Sequence, residues 1–142
     1  MTAPVSVHAG MLRLATRGDG EIVDLTDGVA SVVRQAGAGE GVATVFAVGS
    51  TVAVTTLEYE PGGVQDLTEA LERLIPKPGD YAHNRLNHDT NSHSHMRAAI
   101  IGPSEAVPIV AGRLALGTWQ QVVLLDFDDR PRQRVVHVHV AS

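Results

Sequence analysis

Two runs rich in β-branched and small apolar residues, Gly41 to Val48 and Thr51 to Leu57, stand on either side of Gly49-Ser50, and a third, Gln121 to Phe127, reads QVVLLDF. All three have the composition of buried strands, the last of central character. Arg132 to Val140 adds alternation, with Arg134, Val136, Val138 and Val140 facing one way and Val135, His137 and His139 the other. At the front of the chain, Val5 to Thr16 and Glu21 to Leu25 alternate around Gly18-Asp19-Gly20, which is a hairpin signal. Any fold for this chain has to be organised on β-sheet.

Helical patterns fall between these strands. The stretch VQDLTEALERLI places Val64, Leu67, Leu71, Leu74 and Ile75 on one stripe before Pro76 and Pro78, an amphipathic helix suited to covering a sheet. Thr26 or Asp27 can cap a shorter helix carrying Val29, Val32 and Val33 and stopped at Gly37, and Met96 to Ile101 reads as another, with Asn91 or Ser92 as N-cap and Gly102-Pro103 as stop. Val107 to Leu116 reads as a short strand and turn. The expected class is α+β in a single domain spanning 1–142, of a length that supports one real core.

The totals exclude several classes of function. A net charge of −5 leaves no basic footprint for nucleic acid, and the absence of cysteine removes disulfide scaffolds, thiolate chemistry and Cys-based zinc sites. No apolar run approaches the ~20 residues needed to span a bilayer, and MTAPVSVHAGMLRLATRGDG lacks the pattern of a secretory signal. A cytoplasmic protein with no membrane partner is expected.

The chemistry is concentrated in NRLNHDTNSHSHMRAAIIG, Asn84 to Gly102, which holds His88, His93 and His95 with His83 just before. On a helix, residues two apart diverge by roughly 200°, so only one of His93 and His95 is expected to share a side with Asp89. Imidazole, carboxylate and amide near a helix N-terminus suit either a divalent metal held by His and Asp or a phosphate held by backbone N–H groups. A solvated histidine-rich loop is the alternative. Elsewhere, Ser50 and Thr51 in a Gly-Ser-Thr turn offer donors to an anion, although threonine is also simply a good strand former. Glu58 and Glu60 precede a proline turn. His137 and His139 share one strand face, solvent or subunit facing, and could in principle chelate a metal.

Several segments together resemble a known family: GSTVAVTTLEYEPG (Gly49 to Gly62), DYAHNRLNHDTNSHSH (Asp80 to His95), GPS (Gly102 to Ser104) and VPIVAGRLALGTWQQVVLLDFDDRPRQR (Val107 to Arg134). They are similar, in matching order and over nearly the whole chain, to the YjbQ family, also known as UPF0047, whose members are labelled secondary thiamine-phosphate synthase enzymes. The resemblance implies a compact α+β domain, mostly antiparallel sheet with two to three covering helices, assembled as a homotrimer. It implies joining hydroxymethylpyrimidine diphosphate to thiazole phosphate with release of pyrophosphate, as a weak activity. Asp89, Asn91, His93 and His95 match the family's Asp-x-Asn-x-His-x-His pattern.

On that basis His93, His95 and Asp89 are the expected catalytic residues, and Ser50, Thr51, Asn91 and Gln120 the expected contacts to a phosphorylated small molecule. A divalent ion, Mg2+ or Zn2+, would be held by His93, His95, Asp89 and Glu58. Arg113 is a further polar contact near the Gly-Thr-Trp-Gln turn, Trp119 a ring-stacking residue or an interface or core anchor, and Arg130 and Arg132 candidate interface ion partners. Part of the family has a His-Thr-Thr-Ala type motif where this chain has Gly49-Ser50-Thr51-Val52, and Gly49 cannot act there as ligand or base. A metal-dependent hydrolase using the same histidines and a non-catalytic anion-binding trimer are the other readings.

Overall fold

In the computed structural model, which describes residues 4–142, the strands sort into two antiparallel sheets. The first three residues of the 1–142 domain lie outside the described residues. The larger sheet has the order β1-β8-β3-β5-β6, from Val7–Thr16, Arg132–Ala141, Gly41–Ala47, Ser104–Val110 and Arg113–Leu114. The smaller has the order β2-β7-β4, from Glu21–Asp24, Gln121–Asp126 and Val52–Leu57. The helices are α1 (Thr26–Ala36), α2 (Pro61–Leu74), α3 (Ala82–Asn87) and α4 (Ser92–Ile101).

The alternation read in β8 is what joins the sheets. Val136, Val138 and Val140 turn inward with Val45 and Ile109 of the large sheet, meeting Val52, Val54, Val122 and Leu124 of the small one and Val29, Val32 and Val33 of α1. Gly10 in β1 allows α1 to seat, since a Cβ there would lie 2.5 Å from a methyl group of Val32. The second face of the small sheet, with Ala53, Val123 and Leu125, packs under α2 and α4 through Leu71 and Ala98. β7 is therefore buried on both faces, as its unbroken apolar run requires.

Several sequence expectations are corrected here. The Gly18-Asp19-Gly20 turn does not close a hairpin: β1 pairs with β8 and β2 with β7, so the turn carries the chain from one sheet to the other. Its Asp19 and Gly20 N–H groups donate to the carbonyls of Asp128 and Asp126 instead of closing a local ladder. α2 begins at Pro61, with Glu60 as N-cap accepting from the Gly62 and Gly63 N–H groups, so the paired carboxylates before the proline include a helix cap. Leu74 is exposed, outside the buried stripe. α1 is capped at Leu25 and not at Thr26 or Asp27, while Gly37 ends it in the left-handed conformation as expected. No helix among the described residues is long and apolar enough to cross a membrane.

Candidate functional site

α4 lies against β4, and its first turn is buried from Ser92 to Ser94. Asn91 stands at the N-cap but makes no capping hydrogen bond with its side chain. That role falls to Asn84 of α3, whose Oδ1 accepts from the Ser92 N–H at 3.1 Å. The Ser94 and His95 N–H groups donate to the Asn91 carbonyl at 3.0 and 3.2 Å. The Ser92, Ser94 and His95 N–H groups are thus committed inside the protein.

The freed Asn91 side chain turns to a histidine. Its Oδ1 accepts from His83 Nε2 at 3.0 Å, and Asp89 Oδ2 lies 3.7 Å from the same nitrogen. The His83 ring stands edge-on to His95 with centroids 4.8 Å apart. His95 Nδ1 is 3.1 Å from the Ser50 carbonyl, which can only accept, so Nδ1 carries the proton and Nε2 presents a lone pair. Beside His95, a cavity of about 260 Å³ is lined by Gly49, Ser50, Val52, Ala98, Ala99 and Pro103. His83, Asp89, Asn91, His95 and Ser50 thus converge from α3, the loop after it, α4 and the turn between the sheets.

His93 is turned away from this cluster, as the angular argument anticipates. Its ring is buried with Nε2 3.3 Å from Ser94 Oγ, and Ser94 Oγ in turn donates to the Phe127 carbonyl. This relay puts the proton on Nε2 and leaves Nδ1, wholly buried, without a partner among the described residues. Burial holds the His93 pKa below the ordinary imidazole value, and the charges of Arg97 and Lys77 act in the same direction. It lines a separate cavity of about 270 Å³ with Glu72, Lys77 and Arg97. Arg97 pairs there with Glu72 at 2.7 Å, which holds that carboxyl below its usual range.

The other expected residues scatter. Thr51 is buried: its Oγ1 donates to Asp128 Oδ2 at 2.9 Å and accepts from Arg134 Nη2 at 2.8 Å, so it belongs to the framework and cannot meet a substrate. Glu58 and Gln120 share a groove of about 410 Å³ with Thr56 and Trp119, apart from the histidines. Trp119 is 71% exposed and is no core anchor. Arg132 and Arg130 pair within the chain, with Asp128 at 2.9 Å and Asp129 at 3.8 Å. His137 and His139 lie with Thr44 and Phe46 on the outer face of the large sheet, their rings 6.1 Å apart.

The expected metal set is therefore not assembled, because Glu58 and His93 are directed elsewhere. Among the described residues no group of three or more His, Cys, Asp or Glu side chains is placed to hold an ion. A resident Zn2+ asks for three or four such ligands, and His83 already spends Nε2 on Asn91. A resident Zn2+ held by these side chains alone does not fit this donor set.

Sequence reasoning missed two features. The roles of Asn84 and His83 depend on contacts eight residues apart across the α3–α4 corner, which neither a helical nor a strand period displays. The second is a buried polar network under the Gly49-Ser50-Thr51 turn, where Arg134 grips Asp126 and reaches Thr51. Burial would raise the Asp126 carboxyl, but the hydrogen bonds from Arg134, Thr16 and the Asp128 N–H hold it below the usual range. The one signal for it was an arginine on the valine face of β8.

A family model described as "UPF0047 protein YjbQ-like" matches residues 10–142. A UPF0047 protein of Archaeoglobus fulgidus is 38% identical over 125 residues, covering 88% of this chain and 95% of the relative. One from Methanothermobacter thermautotrophicus is 35% identical over 138 residues, covering 97% and 94%. Among solved structures, a YbjQ-like protein of unknown function from Sulfolobus solfataricus P2 superposes with a TM-score of 0.92 at 27% identity, covering 98% of this chain and 99% of that one. A YjbQ/UPF0047 protein from Clostridium acetobutylicum gives a TM-score of 0.84 at 34% identity, covering 92% and 98%.

Proposed function

Since the chain belongs to the YjbQ-like UPF0047 family, we propose that it is an enzyme acting on a phosphorylated small molecule at the cluster of His83, Asp89, Asn91 and His95. The observation that carries this reading is His95: its Nδ1 is anchored on the Ser50 carbonyl, and its Nε2 has no partner among the described residues. An imidazole fixed through one nitrogen and open at the other is the arrangement general acid–base chemistry needs. His83, held through Asn91 Oδ1 with Asp89 Oδ2 3.7 Å from the same nitrogen, stands edge-on to the His95 ring and supports its orientation.

The reaction we propose is the one the family resemblance implies. The bond from the pyrimidine methylene carbon to the diphosphate oxygen breaks, its electron pair leaving with pyrophosphate. The thiazole nitrogen lone pair forms the new C–N bond. His95, carrying a proton on each ring nitrogen, gives the Nε2 proton to the leaving oxygen and reverts to the neutral ring with Nδ1–H on the Ser50 carbonyl, while the Ser50 hydroxyl donates a hydrogen bond to the same leaving group. Incubation with both phosphorylated halves and Mg2+, the ion accompanying the diphosphate, tests this: thiamine phosphate should form and fall about 100-fold or more in His95→Ala. No product above the uncatalysed rate would refute it.

We further propose that the protein is a homotrimer assembled through the outer face of the large sheet. Met11 and Phe46, which flank His137 from the two neighbouring strands, project there at 45 and 42% exposure, large apolar side chains of the kind an interface covers.

A further inference from the structure

A cavity of about 580 Å³, larger than those beside His93 and His95, belongs to neither histidine. It lies between α1 and the segment that follows the β5–β6 turn, with a floor of Val33, Leu114 and Leu116 and a rim carrying Arg34, Arg113 and Thr118. No carboxylate lines it. The arginines that hold ion pairs among the described residues are Arg17, Arg85, Arg97, Arg130, Arg132 and Arg134, so both rim guanidinium groups remain uncompensated. In a protein of net charge −5, two arginines without ion-pair partners facing one apolar-floored cavity place positive charge at its mouth.

We propose that this cavity binds a small organic anion with an apolar body and one terminal phosphate or carboxylate. The volume falls within the range of small-molecule sites, and an apolar floor with few polar groups at its mouth is their usual construction. Arg34 comes from the last turn of α1 and Arg113 from β6, so they approach the mouth from two separate elements, and guanidinium forks suit the oxygens of either anionic head. The site goes beyond the reading of His95 and stands or falls without it.

Titration of 15N-labelled protein with phenyl phosphate, benzoate and benzyl alcohol tests the proposal, with calorimetry for affinity. Phenyl phosphate or benzoate should shift the amides of Arg34, Leu114 and Thr118 saturably and bind at least ~10-fold tighter than benzyl alcohol. The stronger of the two identifies the preferred head group. The Arg34→Gln, Arg113→Gln double variant should lose that preference, while His95→Ala should leave it unchanged. Equal binding of the neutral alcohol, unaltered affinity in the double variant, or shifts confined to Ser50 and His95 would overturn the site.

Discussion

Arg134 holds Asp126 through two parallel contacts, Nε to Oδ2 at 2.6 Å and Nη2 to Oδ1 at 2.8 Å, with both side chains nearly removed from solvent. The pair joins strand β8 of the large sheet to the end of β7 in the small one, directly beneath the turn that positions Ser50. It fixes the floor on which His95 is anchored.

Removing one partner strands the other. Arg134→Met should cost roughly 3–5 kcal/mol, because it leaves a buried carboxylate without its counter-charge. Denaturant unfolding at neutral pH checks this. A loss within ~0.5 kcal/mol, the range of an ordinary surface change, would show that the network is dispensable.

Gly49 sits at φ +141°, and a Cβ added there would come within 2.7 Å of Arg134 Nη1. Gly49→Ala should therefore destabilise the protein by about 1–3 kcal/mol, through backbone strain and displacement of the guanidinium. Thermal unfolding gives the measurement.

His93 provides a pH signature. Its folded pKa is lowered, so the unfolded chain takes up the proton more readily. The stability it contributes is complete above the unfolded value of about 6.5 and is lost as the pH falls from there toward the folded value. Unfolding free energies measured from pH 7.5 to 5 should decline more steeply for the native chain than for His93→Leu. Parallel curves would contradict the burial of a neutral ring.

If the outer face of the large sheet is the trimer interface, Phe46→Glu should yield monomers in sedimentation equilibrium while the native chain sediments at three times the monomer mass. A native monomer would remove the proposal.

The strands and the two longer covered helices were legible because period and composition report which face is buried: β8 alternates, β7 is apolar throughout, and α2 carries a stripe. Pairing was not legible. The turn at Gly18-Asp19-Gly20 looks local, yet its donors reach Asp126 and Asp128, more than a hundred residues away in the chain. Spacing did separate His93 from His95 once a helix was expected there. It could not assign Thr51, whose hydroxyl is claimed by an arginine and an aspartate from the far end of the sequence, nor find the Asn84 cap, which depends on a corner between two helices.

The central claim is that the reactive side of α4 is the one bearing His95, with His93 belonging to the interior. Imidazole 15N resonances followed while pyrophosphate and Mg2+ are added would test it most directly. The account predicts saturable shifts at His83 and His95 with His93 unmoved. Movement of His93 with His83 and His95 silent would contradict it.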